Sequence, residues 1–80
     1  MKAVRVQYFA ILREQRGVAE ERLETEAATP ADLYAALRER HGFTLSPERI
    51  RAAVNGDFVP ATSALQDGDT LAFIPPVAGG

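Results

Sequence analysis

Between Thr29 and Gly42 the chain carries its one substantial helix signal, and that helix constrains what the rest can form. Thr29 can cap the first turn, Pro30 suits the first helical position, and Asp32 sits where the helix dipole favours an anion. Leu33, Ala36, Leu37 and Arg40 follow at helical spacing with Tyr34 flanking the stripe, and Gly42 is a C′ stop. The spacing predicts a helix over about 30–41. One helix cannot bury its apolar stripe alone. It must pack on one face of a mixed sheet built by the remaining segments, an α+β roll.

The other segments read as sheet. Val4, Val6 and Tyr8 alternate with Arg5 and Gln7, which predicts a strand over residues 2–9 with one buried face. That period is lost from Phe9 to Arg16, where Ile11 and Leu12 beside Arg13 and Glu14 suggest a short helical turn closed by Gly17. Residues 19–26 are mostly acidic around Leu23. They are read as an edge strand whose charges discourage stray pairing, with the acidic segment 20–26 a solvated face. Ser46-Pro47-Glu48 repeats the capping pattern on the scale of one turn. Asn55-Gly56, between Ala52-Ala53-Val54 and Asp57-Phe58-Val59, is a strong hairpin signal, and Pro60 ends the second arm. Ala61 to Gln66 is a connector with room for a turn around Leu65, and Asp67-Gly68-Asp69 is a tight turn. The final strand, Thr70–Ile74, is uncharged and apolar on both faces, which suits the middle of a sheet. The first and last strands are therefore expected side by side at its centre.

Several function classes drop out on composition. Eighty residues with 46% hydrophobic content make one domain with a core of barely sufficient size. The net charge of −2 comes with no basic block, which argues against a nucleic-acid binder. Without cysteine there is no disulfide frame, thiolate metal site or cysteine nucleophile. No stretch approaches the ~20 apolar residues of a membrane span, and Met1–Arg5 alternates rather than forming a signal peptide. A soluble, cytoplasmic protein is expected. His41, the single histidine, falls at the helix C-terminus, where its positive form suits the dipole. Asp67 and Asp69 could be imagined as an acid–base pair, but turn geometry around Gly68 accounts for both. There is no phosphate-binding glycine loop and no nucleophile beside a base.

What remains is the last segment, Pro75-Pro76-Val77-Ala78-Gly79-Gly80. The two prolines lack N–H donors, stop strand pairing and stiffen the exit from the body. Beyond them the side chains shrink to Gly-Gly, a backbone able to thread a slot too narrow for other residues. The reading is a body over 1–74 and a flexible tail over 75–80. The group left to do chemistry is the α-carboxylate of Gly80. A carboxylate is a poor electrophile, but coupling to AMP makes a mixed anhydride that a sulfur nucleophile can open, giving a C-terminal thiocarboxylate.

Ala72-Phe73-Ile74-Pro75-Pro76-Val77-Ala78-Gly79-Gly80, with Asp67-Gly68-Asp69 before it, resembles the small, sulfur-carrying subunits of molybdopterin synthase. Val6 to Glu14 is similar to that family's first strand and turn, and Ala53 to Val59 to its central hairpin. The resemblance implies a ubiquitin-like β-grasp fold. It implies that a ubiquitin-activating-like adenylyltransferase uses ATP to adenylate Gly80, with no cofactor bound by this chain. It also implies that Val77, Ala78, Gly79 and Gly80 insert into the large synthase subunit within a heterotetramer, donating sulfur to cyclic pyranopterin monophosphate. Phe9, Arg13, Ile74, Pro75 and Pro76 match the family's partner-interface positions, with ordinary core packing the lesser alternative for Phe9 and Ile74. Segment 19–28 carries no family motif. A carrier for thiamine or tRNA thiolation, or a ubiquitin-like modifier making isopeptide bonds, would end the same way.

Overall fold

A computed structural model describes residues 1–76, so Val77, Ala78, Gly79 and Gly80 lie outside the described residues. Strand β1 (Lys2–Tyr8) leads through a turn into helix α1 (Ile11–Arg16), then β2 (Glu20–Thr25) and helix α2 (Pro30–His41). A 3-10 turn at Pro47–Arg49 precedes β3 (Arg51–Val54), β4 (Asp57–Val59) and β5 (Thr70–Ile74). The five strands form one sheet in the order β2-β1-β5-β3-β4. Its two central strands, β1 and β5, are parallel, with Val6 opposite Leu71 and Tyr8 opposite Phe73. The hairpins β1–β2 and β3–β4 are antiparallel and place β2 and β4 at the edges. A mixed sheet with one main helix against it is the ubiquitin-like β-grasp arrangement, an α+β fold.

The core lies between α2 and the face of the sheet carrying Val4, Val6, Tyr8, Leu71 and Phe73, each 3% exposed or less. Alternation sends Ala53, Ala72 and Ile74 to the opposite face, which α2 does not cover. Thr29 caps α2 as its sequence predicts, its hydroxyl accepting the Asp32 N–H at 3.1 Å. Gly42 and Gly17 end the two helices in the left-handed conformation.

The structure corrects several local details. The buried stripe of α2 is Pro30, Leu33, Tyr34 and Leu37, whereas Ala36 and Arg40 face water. About one turn, 3.6 residues, separates Leu33/Tyr34 from Leu37, so position 36 rotates outward. Tyr34 is core rather than flank, stacked 5.9 Å from Phe43 with its hydroxyl donating to the Leu45 carbonyl. Ser46 makes no side-chain cap; its carbonyl accepts Arg49 N–H instead. Around Leu65 there is no helical turn, and the side chain is a buried plug.

Segment 20–26 is not simply a solvated acidic face. Strand register puts Glu21 opposite Val6 on the helix side, where its carboxylate accepts the Tyr8 hydroxyl at 2.6 Å. Arg16 donates to both Glu21 oxygens, from Nε at 2.9 Å and Nη2 at 2.8 Å. These Arg16 bonds, helped by the Tyr8 hydroxyl, outweigh partial burial and hold the Glu21 carboxyl down at about 2. A carboxyl with a depressed pKa stabilises the fold fully above its ordinary value of 4.5 and loses that contribution as pH falls toward 2. Glu21→Gln is accordingly expected to lose about 1–2 kcal/mol at neutral pH and much less at about pH 3, flattening the acid limb. Urea denaturation of both proteins across that range measures the difference.

Candidate functional site

Because β1 and β5 run parallel and in register, the residues that follow each strand emerge side by side at one end of the sheet. Phe9, Ala10 and Ile11 come from β1, and Ile74, Pro75 and Pro76 continue β5. With Leu45 as a third wall they enclose a shallow depression of about 580 Å3, at the point where the described chain ends. The lining is almost wholly apolar. Phe9 is 44% exposed and Ile11 39% exposed, large side chains left in water with no core role. Pro75 is buried and Pro76 exposed.

Each wall is held by the fold. The Phe9 carbonyl accepts Leu12 N–H at 3.1 Å, closing the turn that hands β1 to α1. Leu45 is fixed by Tyr34 hydroxyl donating to its carbonyl at 2.8 Å. Next to it, Gln15 and Thr44 bond reciprocally: Gln15 Nε2 donates to Thr44 Oγ1 at 2.9 Å, and Thr44 N–H donates to Gln15 Oε1 at 3.3 Å. Ile74 sits opposite Arg51 and is half-buried on the face that α2 leaves open.

Of the positions read from the sequence, Phe9, Ile74, Pro75 and Pro76 therefore meet in one surface. Arg13 does not line it; it is exposed on α1 and lines a neighbouring depression with Ala10, Glu14 and Val18. Sequence reasoning missed Leu45, Ala10 and Ile11 as members of the surface. It also missed Phe58, which is 57% exposed on the open face with the Arg51 guanidinium 4.2 Å from its ring centroid. A phenylalanine just past an Asn-Gly turn, outside any buried period, was the available signal.

The carboxylate pair proves structural. Asp67 accepts Ala3 N–H at 2.7 Å, while Asp69 accepts Asn55 Nδ2 at 3.0 Å and Gln66 N–H at 2.9 Å. Both tie the final turn to its neighbours. His41 packs 5.8 Å from Phe43, and burial, followed by the Arg16 charge, pushes its pKa below the ordinary histidine value. The positive form expected at the helix end is thus disfavoured. Among the described residues no three His, Cys, Asp or Glu side chains form a metal-binding group. No helix there is long and apolar enough to cross a membrane.

Comparison with known proteins places this geometry. The chain is 35% identical over 78 residues to the molybdopterin synthase sulfur carrier subunit of Haemophilus influenzae, covering 94% of this chain and 96% of that one. Its fold matches SAMP1 from Haloferax volcanii with a TM-score of 0.76 and 29% identity, over 98% of this chain and 99% of that one. It also matches a chain in the complex of subunits 1 and 2 of molybdopterin-converting factor from Helicobacter pylori 26695. That likeness has a TM-score of 0.66 and 26% identity, covering 98% of this chain and 99% of the other. The ThiS family profile matches residues 6–80, nearly the whole sequence, and the chain belongs to the ThiS family.

Proposed function

We propose that this protein is the sulfur-carrier subunit of molybdopterin synthase, acting in the cytoplasm through the α-carboxylate of Gly80. The observation that carries the reading is the apolar surface of Phe9, Ile11, Leu45, Ile74 and Pro75 at the root of a Gly-Gly tail. A partner gripping the body there would find the tail entering its own interior. The family membership and the likeness to a sulfur carrier subunit support the same reading.

The chemistry is group transfer at one carbonyl. A Gly80 carboxylate oxygen attacks the α-phosphorus of ATP on a ubiquitin-activating-like adenylyltransferase, and pyrophosphate leaves. Sulfide from a donor then attacks the glycyl carbonyl carbon and AMP departs, leaving the thiocarboxylate. The nucleotide belongs to the activating enzyme, and this chain binds no cofactor itself. In the large synthase subunit the thiocarboxylate sulfur attacks an electrophilic carbon of cyclic pyranopterin monophosphate, and the C–S bond forms as a C–O bond at that carbon breaks and its oxygen leaves. Water then cleaves the resulting acyl–sulfur bond and restores the carboxylate. A dithiolene holds two sulfurs, so two charged carriers are consumed per product, which fits a heterotetramer with a large-subunit dimer at its centre. The chain contributes no catalytic side chain in this scheme; it presents the tail and is gripped by its body. The likeness to a subunit found in complex with subunit 2 of molybdopterin-converting factor supports the large-subunit partner.

A second reading, as a protein modifier, draws on the likeness to SAMP1. Intact mass after incubation with the activating enzyme, ATP and a sulfide donor separates the two. A carrier gains the mass difference of one sulfur replacing one oxygen, located at Gly80 by fragmentation. An unchanged mass, or a ladder of lysine conjugates without that gain, rejects the carrier reading. A carrier for thiamine or tRNA thiolation would gain the same mass but fail to copurify with a large synthase subunit.

A further inference from the structure

Ala10 has a backbone that alanine rarely adopts. Its φ of 51° and ψ of −126° fall in the region that glycine occupies at little cost and a side chain resists. The Phe9 carbonyl to Leu12 N–H bond makes Ala10 the first central residue of a β-turn, and those angles are close to type II′, where glycine is the usual occupant. The second positive-φ non-glycine, Asn55, has an ordinary reason, since Asn-Gly suits the β3–β4 hairpin. Four glycines stand at the other positive-φ positions among the described residues, so the fold uses glycine elsewhere for this purpose.

Packing gives no reason for the methyl of Ala10. The residue is exposed and absent from the buried core. It does occupy a definite place on the surface. Ala10 lines the apolar depression with Phe9 and Ile74, and it also lines the neighbouring one with Arg13 and Val18. Ala10 is thus the residue shared by the two, the ridge between them. A methyl that strains the free protein from an exposed position outside the buried core is placed for a contact made with something else.

We infer that the Ala10 methyl is a direct contact for the partner that grips the tail root, and that the partner's footprint crosses this ridge from the Phe9 side to the Val18 side. The inference rests on the sulfur-carrier reading for the partner's identity, a large synthase subunit with an apolar surface facing the ridge. Strain in the free body is then a stability–function trade-off concentrated at one residue.

Two variants and two readouts test this. Ala10→Gly removes both strain and methyl, so its melting temperature is expected to rise by about 4 °C or more. Its affinity for the large subunit, measured by calorimetry, is expected to fall about fourfold, as for one lost methyl contact. Ala10→Ser keeps the Cβ and the strain. Its affinity is expected to stay near that of the unmodified protein, and its melting temperature not to rise. Opposite movement of stability and affinity in the glycine variant is the signature; a residue that only shapes the turn would move both in the same direction. An Ala10→Gly protein that binds undiminished, or that melts lower, overturns the inference while leaving the carrier reading intact. Failure of the unmodified protein to bind any large subunit would instead reject the partner reading, and the inference with it.

Discussion

Removal of Gly80, or addition of one residue after it, is expected to abolish sulfur transfer while the melting temperature stays unchanged. All of the proposed chemistry takes place at one terminal carbonyl, so the relevant quantity is where that carbon sits inside the partner. In the proposed complex the body is held at Phe9 and Ile74, and the four residues beyond Pro76 reach at most roughly 14 Å when extended. One residue more or fewer moves the reacting carbon by about 3.5 Å along that path. A misplacement of about 1 Å can already cost on the order of 100-fold in rate, so a shift of this size leaves nothing measurable. An added residue also converts the Gly80 carboxylate into an amide, which cannot be adenylated. Stability is indifferent to either change because the core runs from Val4 to Phe73. The assay is dithiolene formation with purified large subunit and activating enzyme, beside a thermal melt of each variant. Full activity from either variant would rule out Gly80 as the residue that carries the sulfur.

How much of this was legible in the sequence depended on how local the causes were. The bounds of α2 were readable because Thr29, Pro30 and Gly42 act within one turn of the helix ends. The central pairing of β1 with β5 was readable for a different reason. A strand apolar on both faces, Thr70–Ile74, is poorly suited to an edge, and Val4, Val6 and Tyr8 offered the best-matched neighbour. The Asn55-Gly56 hairpin needed nothing beyond its own four residues. What escaped was set by distant contacts. Glu21 looked like one acid among several until strand register placed it under Tyr8 and beside Arg16. Tyr34 belongs to the i, i+3, i+4, i+7 stripe that starts at Pro30, and a stripe drawn instead through Ala36 and Arg40 leaves it as a flank; its contacts with Phe43 and Phe73 come from outside the helix. The candidate surface shows the same division. Phe9, Ile74 and the two prolines could be picked out along the chain, whereas Leu45 joins them only through the Gln15–Thr44 bonds and the Tyr34 hydroxyl. Nothing in the residues around Ala10 announces its positive φ, since no glycine marks the turn.

Phe9→Ala is expected to weaken binding to the large subunit by about 100-fold, within the 2–4 kcal/mol that central aromatic anchors contribute to interfaces. Phe9 is 44% exposed and contributes nothing to the buried core, so its removal is expected to cost the fold no more than about 1 kcal/mol. It lines the depression with Ile74 and Pro76, where a docked partner would exclude water from all three together. Burial of a phenylalanine ring then adds to the affinity what the free protein forgoes by leaving it in solvent. The kinetic consequence distinguishes gripping from chemistry. The reacting carbon of Gly80 is several residues away, so kcat at saturating carrier is expected to hold while KM for the carrier rises. Calorimetry supplies the affinity, and steady-state transfer with the thiocarboxylated variant supplies the kcat–KM division. If affinity holds and KM does not move, the partner grips some other face, of which the open sheet side bearing Phe58 and Arg51 is the one with a comparable exposed aromatic. If kcat falls together with affinity, Phe9 also steers the tail, and docking and delivery are one event rather than two.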